Sequence, residues 1–177
     1  HLADTVNATR EAKDEHIIKT PHAGISAMAL SRDGQLVASA CNVTDELILT
    51  VWNTSTSEIL HRWQWREQGI QGSKIGTLEF SPDGFRLAAA ANERGKAYLL
   101  DVRDGNQIAE LDHESICGLS FDRTGNQLVT AGANERLCFW DSATGKLLNT
   151  NEMIGGDLQN VRCSPVDDLI VTVHFPN

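Results

Sequence analysis

Ile75-Gly76-Thr77-Leu78-Glu79-Phe80-Ser81-Pro82-Asp83-Gly84 decides the fold, because the chain contains it more than once. A relative stands at Ile25-Ser26-Ala27-Met28-Ala29-Leu30-Ser31-Arg32-Asp33-Gly34, and another at Ile116-Cys117-Gly118-Leu119-Ser120-Phe121-Asp122-Arg123-Thr124-Gly125. A degenerate fourth copy runs from Leu158 to Asp168. The turn-opening residues Ser31, Ser81, Asp122 and Ser164 are 50, 41 and 42 positions apart. A period near 40 residues made of short strands predicts propeller blades of four antiparallel strands each.

Each unit reads strand by strand. The first strand carries Met28/Leu30, Leu78/Phe80 or Leu119/Phe121, and a tight turn with Gly at its end follows, since Gly enters the left-handed region without a Cβ clash. The second strand is small and apolar (36–40, 87–91, 128–131), which lets neighbouring sheets approach closely. The third ends in Val51-Trp52-Asn53, Leu100-Asp101 or Phe139-Trp140-Asp141, and the fourth carries Leu60/Trp63, Ile108/Leu111 or Leu147-Leu148. The expected organisation is the end of a preceding blade in 1–20, blades in 21–63, 70–111 and 113–150, a linker at 64–69, and the first half of a further blade in 151–177.

These features resemble the WD40 repeat family. The resemblance rests on Trp140-Asp141 with Gly125 fifteen positions earlier, on Ser81-Pro82-Asp83-Gly84, and on His22 and His113, each twelve positions before its turn glycine. It implies an all-β fold, an arc of a larger ring, because an isolated arc would expose strand edges and apolar faces. It also implies that a loop His, a strand Ser/Thr, a turn Asp and the Trp indole form a buried hydrogen-bond chain. Blade 3 offers His113, Thr130 and Trp140, with Asn134 in place of the Asp; blade 1 offers His22, Ser39, Asp45 and Trp52; blade 2 has Gly72 and Leu100 at the His and Trp positions and is expected to lack the chain. The same residue types could suggest a hydrolase triad, but the resemblance assigns them a structural role.

Composition narrows the partners. Hydrophobic residues make up 41% and charged residues 22%, with a formal net charge of −9, which disfavours nucleic acid or an anionic membrane as the main partner. No apolar run approaches the ~20 residues of a membrane span. The chain begins at His1 with no signal-like run, and reads as an excerpt or a processed chain. Cys41, Cys117, Cys138 and Cys163 show no zinc spacing and read as small buried hydrophobes of a reducing, cytoplasmic compartment; a disulfide between neighbouring strands is the alternative. Sequons at Asn7, Asn42 and Asn53 are common by chance.

No nucleophile elbow, phosphate loop, dinucleotide fingerprint or zincin motif occurs, and no cofactor or metal is implied. First strands should line the channel with Ser26, Gly76, Thr77, Cys117 and Gly118, a poor set for acid–base work. Two features suit recognition. Glu93/Arg94 and Glu135/Arg136 sit in near-duplicate turns between second and third strands, and should lie side by side on one rim, unless they are only soluble turns. Trp65 and Arg66 lie in the expected linker and have a hot-spot composition, unless Trp65 covers the edge of blade 2. The function expected is a non-catalytic protein–protein interaction platform binding a protein or peptide on a rim or the channel face. The alternatives are a ligand-sensing or regulatory propeller fused to a signalling or enzymatic module, and a propeller enzyme with an active site at the channel mouth.

Overall fold

A computed structural model describes residues 24–43, 46–66, 74–92, 95–153 and 156–175. Every regular element of more than one residue among them is a strand. The first sheet contains β1 (Ile25–Leu30), β2 (Leu36–Val43), β3 (Glu46–Asn53) and β4 (Ile59–Arg66). The second contains β5 (Ile75–Phe80), β6 (Arg86–Ala91), β7 (Lys96–Asp101) and β8 (Gln107–Asp112). The third contains β9 (Ile116–Phe121), β10 (Gln127–Gly132), β11 (Arg136–Asp141) and β12 (Leu147–Glu152), and β13 (Leu158–Cys163) pairs with β14 (Ile170–His174). Strands follow chain order within each sheet and all pairs are antiparallel. This is the blade geometry of a β-propeller.

The turns explain the regularity. Ser31 donates its hydroxyl to Asp33 at 2.6 Å and accepts the Leu36 amide at 2.9 Å, while Asp33 accepts the Gln35 amide. Ser81 and Asp83 repeat this at Arg86 and Phe85. In the third sheet the carboxylate comes first: Asp122 accepts from Thr124 and from the Gln127 amide. A short polar side chain that satisfies local amides fixes each hairpin's register.

The cores lie between sheets rather than within them. Second- and third-strand residues of blade 2 alternate: Leu87, Ala89, Ala91, Tyr98 and Leu100 face blade 1, and Ala88, Ala90, Ala97 and Leu99 face blade 3. Alanines on both faces allow the close approach. The third interface joins Val129, Ala131 and Leu137 to Leu158 and Val161. First strands of successive sheets touch one another.

The structure departs from the sequence expectation at the linker. Gln64, Trp65 and Arg66 belong to β4, which pairs with β3 as far as Glu46–Arg66, so the strand is longer than its blade 2 and blade 3 counterparts. Only Glu67 to Gly69 of that expected linker remain, and they lie outside the described residues. The expected terminal blade segment 1–20 lies outside them too.

Among the described residues, the first and last sheets both carry exposed apolar side chains. Met28 and Leu30 on β1 are 66% and 63% exposed, and Val171, Val173 and Phe175 at the other end are each more than half exposed. At ~25 cal/mol per Å², a few hundred Å² of uncovered apolar area per face corresponds to several kcal/mol, the scale of a domain's whole stability. Residues 1–177 purified alone should therefore self-associate and bind a hydrophobic dye; a monodisperse, dye-silent monomer in sedimentation velocity would contradict this.

Candidate functional site

The polar cluster of blade 3 is built by three elements. β10 supplies Thr130, β11 supplies Trp140, and the loop after β8 supplies His113, all buried. The Trp140 indole N–H donates to Thr130 Oγ1 at 2.9 Å, and Thr130 Oγ1 lies 2.7 Å from His113 Nδ1. The hydroxyl accepts from the indole and keeps both its own proton and a second lone pair for Nδ1, so it can serve either imidazole tautomer. Nε2 and Asn134 Oδ1 both press on Gly132: a Cβ there would stand 2.6 and 2.5 Å from them, so only glycine fits. They close no hydrogen bond with each other. Burial lowers the His113 pKa from its ordinary 6.5; Asn134 opposes that shift, and the Arg136 charge adds to it. The imidazole is thus neutral and enclosed.

Blade 1 repeats part of this. The Trp52 indole donates to Ser39 Oγ at 3.1 Å in a buried pair, whereas His22 and Asp45 lie outside the described residues. Blade 2 places Ala89 and Leu100 at the corresponding positions, both buried. Something else holds that interface. Trp65 stacks on Tyr98 with ring centroids 4.4 Å apart, and its indole donates to Gln107 Oε1 at 2.9 Å. Trp63 donates to the Gly105 carbonyl at 2.8 Å. Trp65 stands two residues beyond Trp63 as His113 stands two beyond Leu111, so an indole occupies in blade 2 the register that the histidine takes in blade 3. Trp65 therefore covers blade 2 and is not a free loop anchor. Arg66 is exposed and ion-paired with Glu46.

Sequence reading missed a fourth cluster. Thr172 has the β13–β14 register of Thr130, facing Val161 as Thr130 faces Leu119. Its hydroxyl lies 2.9 Å from His174 Nε2, and His174 Nδ1 lies 3.2 Å from the Gly156 carbonyl. Here the histidine comes from the second strand rather than from the loop, so no fixed spacing to a turn glycine could reveal it.

The inner face also differs from expectation. Ser26 and Cys117 sit at bulges and donate back to the carbonyls of Ala40 and Ala131, and Gly118 is closely covered by Asn160. The polar work falls to Glu79 on β5. Its Oε1 accepts the Phe121 amide at 2.8 Å and the Ser120 hydroxyl at 3.0 Å, and its Oε2 pairs with Arg162 at 2.5 Å. Ser120 Oγ in turn accepts the Cys163 amide at 3.1 Å. A side chain on β5 and one on β9 thus each cap an edge amide of the next first strand. Burial is the largest influence on Glu79 and raises its pKa, against the Phe121 amide, Arg162 and Ser120. The cysteine thiols are free and raised by burial, Cys163 to about 11.

The near-duplicate turns are not equivalent. Ala91 pairs with Lys96 but Gly132 pairs with Arg136, so Arg136 corresponds in register to Lys96 and not to Arg94. Arg136 opens β11 and pairs with Glu152 at 3.4 Å, as Lys96 pairs with Glu110. Glu135 takes φ +60°, the conformation Gly95 holds at +63°. Glu93 and Arg94 lie outside the described residues.

Residues 105–141 match the family model for the WD domain, G-beta repeat. The segment takes in β8 of one blade and β9, β10 and β11 of the next, with His113, Thr130 and Trp140 inside it. The segment therefore carries a WD repeat, and the described sheets have the blade architecture of WD40 β-propellers. The chain is 31% identical over 97 residues to cilia- and flagella-associated protein 52 of Sus scrofa, covering 53% of this chain and 16% of that protein. Against the same-named protein of Homo sapiens it is 24% identical over 164 residues, 91% of this chain and 25% of that protein. Antiviral protein SKI8 of Saccharomyces cerevisiae is 27% identical over 158 residues, 79% of this chain and 39% of that protein. The chain thus spans between a sixth and two fifths of the curated relatives it matches.

His113→Ala should destabilise by ~1–3 kcal/mol, because Thr130 loses a buried partner. The folded pKa of His113 is depressed, so its contribution is complete above pH 6.5 and declines as pH falls from there toward the folded value. A pH series of melting curves should show that decline in the parent protein and a shallower one in the variant. Glu79→Ala should cost about 1–3 kcal/mol, whereas Glu79→Gln, which keeps an acceptor for the Phe121 amide, should cost distinctly less in denaturant unfolding.

Proposed function

We propose that the chain is a non-catalytic protein–protein interaction platform, a rigid section of a larger WD40 propeller. One observation carries the reading: among the described residues, the buried hydroxyl–imidazole pair of blade 3 and the partly buried carboxylate of Glu79 are occupied in holding blades together. Thr130 is fully buried against His113 and Trp140, and Glu79 is shared among Ser120, Phe121 and Arg162. A nucleophile needs access to its substrate, and a general base needs an unoccupied lone pair. What faces solvent is a set of turns pinned by their own Asp, Asn, Ser and Thr side chains. Rigid turns on a rigid scaffold bind with little loss of conformational freedom. The partner is a protein or peptide on a rim or at the inner face, and the four free thiols fit a reducing, cytoplasmic setting.

The test is affinity purification of the full-length protein with quantitative mass spectrometry, beside variants altered at exposed turn residues such as Arg32→Glu and Lys146→Glu. A reproducible protein partner should be lost from at least one turn variant whose melting temperature is unchanged. A partner set identical to that of an unrelated tagged control would overturn the reading.

A further inference from the structure

Phe85 and Arg103 break the repeat where the fold does not require it. Phe85 follows the turn glycine Gly84, and its carbonyl accepts the Val102 amide at 2.8 Å. Gln35 and Asn126 hold the same place in blades 1 and 3, accepting from Thr54 and Ser142 at 2.9 Å each. The backbone tie is therefore made equally well by polar residues. The residue after each amide donor is Ser55 in blade 1, Arg103 in blade 2 and Ala143 in blade 3. Only blade 2 combines an aromatic ring and a guanidinium there.

The pair is pre-organised. Arg103 Nε and Nη2 donate to the two carboxylate oxygens of Asp101 at 3.1 and 2.5 Å, and the Arg103 amide also donates to Asp101 at 2.8 Å. These contacts, chiefly the side-chain bonds from Arg103, hold the Asp101 pKa down to about 2. The guanidinium carbon lies 5.3 Å from the Phe85 ring centroid. Phe85 nevertheless remains 49% exposed and the Arg103 side chain 60% exposed. A small cleft of about 190 Å³ is lined by Arg32, Asp33, Pro82, Asp83 and Gly84, the turn that leads into Phe85.

The geometry points to a docking surface for a proline-containing, extended segment of a partner protein, and so deepens the platform reading on which it rests. The exposed part of the Phe85 ring can take a prolyl ring. Nη1 of Arg103 is left with its two protons and can donate to a backbone carbonyl. A polyproline II segment offers both, since its carbonyls make no internal hydrogen bonds. The charge balance favours a neutral acceptor over an acidic one: Asp101 already offsets Arg103, and Asp83 and Asp104 add negative charge nearby. The surface lies at the end of the blade opposite the β10–β11 turn that carries Glu135.

The probe is a fluorescein-labelled peptide of ten prolines titrated with the full-length protein, beside a glycine–serine peptide of equal length. Anisotropy should show saturable binding of the proline peptide only, weakened at least tenfold by Phe85→Ala and by Arg103→Met. Phe85→Leu keeps an apolar side chain but not the flat ring, and should weaken binding without lowering the melting temperature. Equal behaviour of the two peptides, or proline binding unchanged in these variants, would overturn the docking surface. The platform reading fails separately, if the full-length protein captures no specific partner by any rim.

Discussion

Everything in this chain depends on the fact that a blade has two apolar faces and no partner of its own. A four-stranded sheet with Leu87, Ala89 and Ala91 on one side and Ala88 and Ala90 on the other can be stable only between two other sheets. The alanine-rich second strand sets the distance, and larger residues of the third strand, Tyr98 and Leu99, fill the remaining depth on the two sides. Stability is then a nearest-neighbour quantity, as in other stacked repeats.

Three devices close the interfaces that packing alone leaves polar or loose. Blade 3 uses a hydroxyl shared between an indole and an imidazole. The blade 1–blade 2 contact uses two indoles from a lengthened strand, one stacked on Tyr98 and both hydrogen-bonded to the turn region at 105–107. Along the inner seam, Glu79 and Ser120 cap amides of the next first strand. Ala29 holds the matching position on β1 and has no acceptor to offer, so the seam toward β5 lacks this tie.

The strands were legible in the sequence because period-two alternation and Ser-x-Asp-Gly turns are local. β2 runs three residues past the expected 36–40 and β4 takes in the first half of the expected linker, since nothing local marks where their longer pairing with β3 stops. Non-local facts were not legible. Trp65 reads as a loop residue until Tyr98 is seen beneath it. Glu79 is one polar residue in an alternating strand, and only the arrangement of three first strands shows its use. The likeness of Asn92-Glu93-Arg94 to Asn134-Glu135-Arg136 misleads because the two hairpins differ in loop length by one residue, and Glu135 adopts the left-handed conformation in the shorter one.

The stretch 105–141 crosses a structural boundary: its first strand is the outermost of one blade and its other three are the inner strands of the next. The unit that is copied in the sequence is therefore not the unit that stands in space. Each copy lends an edge to the sheet before it and borrows one from the sheet after it, as links do in a chain. Duplicating or losing such a unit changes the number of blades without leaving any interior blade short of a strand. The same arrangement means that a polypeptide cut at a copy boundary is never cut cleanly between blades, and one sheet at each end is always left for something else to finish.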